Sequence, residues 1–224
     1  MTLYMIRLDK VTKVFYLGNE PLTILHPITL NIKKSSFVTI VGPSGSGKST
    51  LMYLLGLLDA PTTGKVFIND IDTSRLSDEK ISALRNQFIG FIFQQFNLVN
   101  KLTVMENILL PSIYSLDKSQ DFKQRAFDLM SRFGIDHRKD SFPNKISGGE
   151  QQRAAIARAL LLNPEVILAD EPTGNLDSKN GKIILDYLKT LHKEDKKTVI
   201  IITHEQQIAA MGKQKIKIKD GRIN

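Results

Sequence analysis

Residues 37–58 read FVTIVGPSGSGKSTLMYLLGLL. Five apolar or β-branched residues lead into a glycine, and an apolar, helix-favouring run follows the Gly-rich turn. Gly42, Pro43, Ser44, Gly45, Ser46, Gly47, Lys48, Ser49 and Thr50 match G-x-x-x-x-G-K-[ST], with a strand expected before and a helix after. Glycines let a backbone turn tightly and bring its N–H groups up to an anion. A helix start adds unpaired donors and a partial positive charge. Lys48 is placed to reach β- and γ-phosphates, and the Ser49 hydroxyl suits Mg²⁺, a hard ion that prefers oxygen. The stretch predicts a nucleotide-binding loop rather than an ordinary Gly/Ser turn.

The rest of the chain sets bounds on that reading. Its 224 residues suffice for a sizeable core, and 42% hydrophobic with 24% charged residues is ordinary globular composition. Without cysteine there is no disulfide framework, which fits a reducing compartment. The opening MTLYMIRLDKVTK lacks the pattern of a secretory signal, and runs such as 51–58 and 199–202 are too short to cross a bilayer, so a soluble chain is expected. The net charge of +8 admits nucleic acid or anionic surfaces, but the lysines are dispersed. Lys213, Lys215, Lys217 and Lys219 alternate with Ile216 and Ile218, which reads as the wet face of an edge strand.

Short strands are expected at 5–8, 11–15, 28–32 (antiparallel, half-buried) and 65–69, the last after a turn at 61–64. Ser77 caps a short helix with Asp78 and Glu79 in its first turn. Continuous apolar runs at 37–41, 89–93, 166–169 and 198–202 predict buried strands. Residues 103–133 read as mostly helical. Phe122, Ala126, Phe127, Leu129, Met130 and Phe133 form one face, and Gly134 ends the run. A polar loop with Pro143 spans 136–145, followed by helices over 150–162 and 178–193, a short helix, and a β segment turning at Asp220-Gly221. Buried strands alternating with helices predict a parallel sheet. The expected architecture is α/β, with an antiparallel β subdomain and a helical insertion.

Two further stretches carry chemistry. Val166-Ile167-Leu168-Ala169 ends in Asp170-Glu171. At the C-terminal end of a parallel strand these carboxylates face the phosphate site. Asp170 suits a Mg²⁺ partner and Glu171 a group that activates the attacking water. Ile146-Ser147-Gly148-Gly149-Glu150 opens an alanine-rich helix, either a second anion site or simply a capped helix start.

With those residues in place, the chain resembles the nucleotide-binding ATPase subunit of an ABC transporter along essentially its whole length. Residues 42–50 resemble the Walker A motif, 166–171 the Walker B motif, and 146–150 the signature LSGGQ, with Ile and Glu replacing the end residues. The resemblance implies a P-loop NTPase (RecA-like) core, with residues 1–94 and 163–224 forming core and β subdomain and 95–162 the helical subdomain. It implies ATP and Mg²⁺ as ligands. Gln94 resembles the Q-loop glutamine, a metal and water sensor, with Gln95 its neighbour. Residues 174–177, Gly-Asn-Leu-Asp, resemble a D-loop that is usually Ser-Ala-Leu-Asp, making Asp177 a cofactor-side residue. His204 resembles the switch histidine, a catalytic residue with Glu171, Gln94 and Lys48. Phe15 resembles the aromatic that stacks on adenine, with Tyr16 beside it as the alternative. Ser147, Gly148, Gly149 and Glu150 would touch the nucleotide held by another copy. Partners implied are that second copy, in a head-to-tail sandwich, and an integral membrane permease. The place implied is the inner face of the membrane, with no nucleic acid. The subgroup resembled includes lipoprotein-release, macrolide-export, cell-division and peptide-resistance ATPases. Competing readings are a non-transport ABC ATPase acting on DNA or the ribosome, which usually carries a coiled-coil insertion or a second ATPase half, and a phosphate-loop kinase.

Overall fold

The computed structural model describes residues 3–115, 117 and 119–223. The opening strand pair is longer than its sequence pattern suggests. β1 (Tyr4–Leu17) and β2 (Glu20–Lys33) form one antiparallel hairpin, turning at Gly18-Asn19. The break expected near Asp9-Lys10 is a register shift between Leu8 and Val11, where Lys10 has φ +48°. The outer half, from Phe15 to Leu22, buries little and so has no apolar alternation to read.

β3 (Phe37–Val41) leads through the Gly-rich turn into α1 (Lys48–Leu55). β4 (Thr63–Ile68) and β5 (Ile71–Asp72) join the hairpin in a sheet of order β2-β1-β4-β5. α2 (Asp78–Phe88) starts on Ser77, whose hydroxyl accepts from the Lys80 N–H as expected. It feeds β6 (Ile89–Ile92).

The span expected to be mostly helical is interrupted. α3 (Val104–Leu109) yields to a 3₁₀ turn over Leu110–Tyr114, because Pro111 has no N–H with which to continue an α-helix. α4 (Phe122–Arg132) buries Ala126, Leu129 and Met130, but Phe127 is 39% exposed, one residue and about 100° round from Ala126. Positions 116 and 118 of that span, and Met1 and Thr2 of the N-terminal stretch, lie outside the described residues. α5 (Gly148–Leu160) begins two residues earlier than the apolar pattern suggests.

β7 (Val166–Asp170), α6 (Ser178–Lys193), β8 (Thr198–Thr203), α7 (Gln206–Ala209), β9 (Gln214–Lys219) and β10 (Arg222–Ile223) complete the order. The second sheet runs β10-β9-β3-β8-β7-β6 and is parallel except for β10. The lysine-rich strand β9 is therefore one place in from the edge. Its isoleucines are buried, while its lysines stay exposed.

Strand alternation divides the core in two. Val38, Ile40, Val166, Leu168, Ile200 and Ile202 pack with α1 and the antiparallel sheet. Phe37, Ile167, Ala169, Val199 and Ile201 pack with α3 to α6. Both faces of the sheet are dry at β3, β7 and β8, which is why those strands read as unbroken apolar runs. The helical segment shares its apolar cluster with one face of that sheet.

Candidate nucleotide site

The strand ends β3, β7 and β8 lie side by side, so the turns that follow them converge. After β3, Gly42 passes so close to the Ile218 carbonyl that a Cβ would collide with it. Gly47 has φ +100°, and a Cβ there would meet Leu25 Cδ2 at 2.8 Å. Lys48 Nζ folds back and donates to the Pro43 carbonyl at 2.7 Å, which keeps the ammonium inside the loop. The Ser46 hydroxyl is buried without a hydrogen-bond partner. The first turn of α1 has no side-chain cap and no acidic residue, which leaves its leading amides without a side-chain partner among the described residues.

After β7, burial and then the Glu171 charge push the Asp170 carboxyl up, and Lys48 opposes them. A cation bound nearby would oppose both effects and hold the carboxylate ionised. No cluster of three His, Cys, Asp or Glu exists among the described residues. A metal here would therefore draw on a hydroxyl, a carboxylate, phosphate and water, the set Mg²⁺ takes. Glu171 stands at φ +42°, fixed by its N–H donating to Ile202 O at 2.9 Å. His204, just past β8, places Nδ1 2.8 Å from Glu171 Oε1.

Gln94 lies on the turn after β6 and meets Asn175, whose Nδ2 donates to the Gln94 carbonyl at 2.9 Å. Gln95 beside it is exposed. Gln94, Glu171, Asp177 and His204 all line one cavity of about 690 Å³. Asp177 caps α6, accepting from the Asn180 N–H at 2.9 Å and from Asn180 Nδ2 at 2.7 Å; the first of these lowers its pKa most.

The Ser-Gly-Gly turn is a capped helix start with an internal counter-charge. Glu150 N–H donates to Ser147 Oγ at 3.3 Å, while Glu150 Oε2 accepts from Ser147 N at 2.8 Å and Oγ at 2.7 Å. The other oxygen, Oε1, accepts from Arg138 Nε at 2.8 Å. Burial by itself raises the Glu150 pKa, but hydrogen bonds from Arg138 and Ser147 outweigh it and hold the group at about 2. The Glu150 carboxylate is thus engaged inward. Gly149 abuts the Asn180 amide, leaving no room for a Cβ. Among the described residues, no hydrogen bond or ion pair joins 147–150 to the loop at 42–50.

Phe15 is 44% exposed near the hairpin tip, with Lys13 Nζ 5.0 Å from its ring centroid. Lys13 is itself anchored on Asp59 at 2.7 Å. Tyr16 is 68% exposed and has no such neighbour among the described residues. The sequence reading missed Arg138, Asn175 and Gln152. The S-x-x-E spacing of 147–150 is a legible capping signal, but Arg138 lies 12 positions before Glu150 and Asn175 lies 81 after Gln94, and neither pairing has a periodic signal.

Converging strand ends, a glycine-rich loop opening an uncapped helix and an acid pair beside a lysine define a phosphate-loop nucleotide site. The ABC transporter family pattern matches residues 25–174. An uncharacterized ABC transporter ATP-binding protein of Methanocaldococcus jannaschii, MJ0796, is 46% identical over 98% of this chain and 95% of that one. The macrolide export ATP-binding/permease protein MacB of Chlorobaculum tepidum is 46% identical over 98% of this chain, which spans only 33% of that protein. A dimeric structure of MJ0796 in a post-hydrolysis state with ADP and Pi superposes with a TM-score of 0.91 at 44% identity, covering 98% of this chain and 97% of that one. The chain belongs to the ABC transporter family, as an ATP-binding cassette with ATPase activity.

Proposed function

We propose that this ATPase works as a head-to-tail pair and drives a separate membrane permease. The observation that carries the pairing is the self-capped Ser147 turn: it has the donors of an anion site yet makes no bond to the loop of its own chain. In the pair, the loop at 42–50 of one copy binds ATP, and Ser147, Gly148 and Gly149 of the other cover the γ-phosphate. Phe15 stacks on the adenine.

Lys48 offsets phosphate charge, and Glu171 polarises the attacking water and receives its proton. With Nδ1 donating to Glu171, the His204 imidazole is oriented, and its doubly protonated form also has an Nε2–H to donate to the γ-phosphate. Ser49, Asp170 and Gln94 would hold Mg²⁺, which when bound neutralises charge on the phosphate oxygens. Asp177 and Glu150 act by shaping the turns around them. Loss of the γ-phosphate removes the contacts that bridge the copies, so the pair opens.

No helix among the described residues is long and apolar enough to cross a membrane. A groove of about 870 Å³, walled by Phe91, Asn97, Tyr114 and Arg158, is the proposed seat of the permease and sets the chain at the inner membrane face. The cargo class we infer is a lipid, peptide or drug-like molecule, or force alone. Crosslinking from Asn97 or Leu98 in native membranes tests this. Capture of a multi-span protein is expected; capture of none, with salt-sensitive retention on DNA or ribosomes, would contradict it.

A further inference from the structure

Residues 174 and 175 depart from the pair usual in the family resembled, and both departures meet Gln94. A Cβ on Gly174 would come within 2.7 Å of Gln94 Nε2 and 3.2 Å of its Cδ, so glycine makes the space that this amide fills. Asn175 meets Gln94 twice. Its Nδ2 donates to the Gln94 carbonyl at 2.9 Å, and its Oδ1 accepts from Gln94 Nε2 at a longer 3.5 Å.

The same junction is tied from beneath. Gln152, fully buried on α5, donates through Nε2 to Pro172 O at 2.7 Å and to Phe93 O at 3.5 Å. Just beyond Gln94 the turn is strained, with φ +54° at Phe96 and +51° at Asn97. Arg158 holds their carbonyls, from Nη2 at 2.8 Å and Nη1 at 2.5 Å. Gln94 thus sits between a fixed strand end and a strained turn, and Asn175 is what joins it to the loop that begins at Glu171.

We propose that Asn175 is a positioning residue for Gln94. It sets the glutamine amide relative to the water-polarising carboxylate, and it carries any displacement of 174–177 by the second copy into the turn at 94–97. The inference rests on the reading of Gln94 as a group at the γ-phosphate end of the site.

The test uses the full chain with Asn175→Ala, Asn175→Asp, Gln94→Ala and the double Ala variant. Each is assayed for kcat and KM with MgATP, and for amide hydrogen exchange across 94–97 without nucleotide. Asn175→Ala should lower kcat about fivefold or more with KM held within about twofold. It should also speed exchange at 94–97 by about tenfold, while core strands keep wild-type protection. Asn175→Asp keeps the shape but loses the donor, and should match the Ala variant. In the Gln94→Ala background the Asn175→Ala substitution should cost less than about twofold more. Wild-type kcat and exchange in Asn175→Ala, or losses that multiply in the double variant, would overturn the proposal while leaving the role of Gln94 intact. Wild-type kcat in Gln94→Ala would instead overturn the reading of Gln94 itself.

Discussion

Two helices of this chain begin on glycine-rich turns, and they treat their first amides in opposite ways. α1 starts from Gly47 in the left-handed region, with no side-chain cap and no carboxylate in its first turn. α5 starts from Ser147, and Glu150 closes a capping box over the same kind of amides. By residue type both are anion-binding starts. The first leaves its donors for a ligand and keeps an ammonium, Lys48, within the loop. The second has satisfied much of its own demand and set a carboxylate behind the serine, tied to Arg138. A helix start of the first kind is suited to hold a phosphate by itself; in the proposed pair, one of the second kind covers a phosphate already held. On the proposed pairing, each chain carries one holding half and one covering half.

That contrast is open to breakage from several sides. Removing the carboxylate proposed to polarise water should act most strongly: Glu171→Gln is expected to slow phosphate release by about 100-fold or more while ATP stays bound and a dimer accumulates in light scattering. Turnover near the wild-type rate would deny Glu171 its role. On the holding half, Lys48→Ala should weaken ATP binding by about 10- to 100-fold in calorimetry. On the covering half, Ser147→Arg should leave single-chain ATP affinity within about twofold yet block dimerisation. If it weakened binding as much as the Lys48 change, the two halves would not be distinct.

The smallest effect concerns acid stability. Glu150 titrates at about 2 rather than at its ordinary 4.5, so the folded state gains from the ionised form. A depressed carboxylate contributes stability that is full above 4.5 and lost as pH falls from there toward 2. Chemical unfolding of Glu150→Gln should therefore show a shallower decline across that window than wild type, and parallel declines would count against the Glu150–Arg138 pair.

Much of this is legible in the sequence. The runs at 37–41, 166–169 and 198–202 read as buried strands because the sheet is dry on both faces at β3, β7 and β8, and the ends of those strands bring 42–50, Asp170 and Glu171 together. What stayed hidden had physical causes. The outer hairpin buries little, so β1 and β2 looked short. The lysine strand looked like an edge because alternation reports which face is wet, not how many neighbours a strand has; the two residues of β10 make the edge instead. Phe127 is apolar yet exposed, since adjacent helix positions diverge by about 100°. The clasp of Asn175 on Gln94 spans 81 positions and leaves no periodic trace.

The most direct measurement is ATP turnover per chain as the protein is diluted through and far below its dimerisation range, with saturating ATP throughout. If each chain holds one half of a site and covers the other's, specific activity should fall in step with the dimer fraction while ATP binding to the monomer persists. Specific activity that stays constant at every concentration would contradict the account.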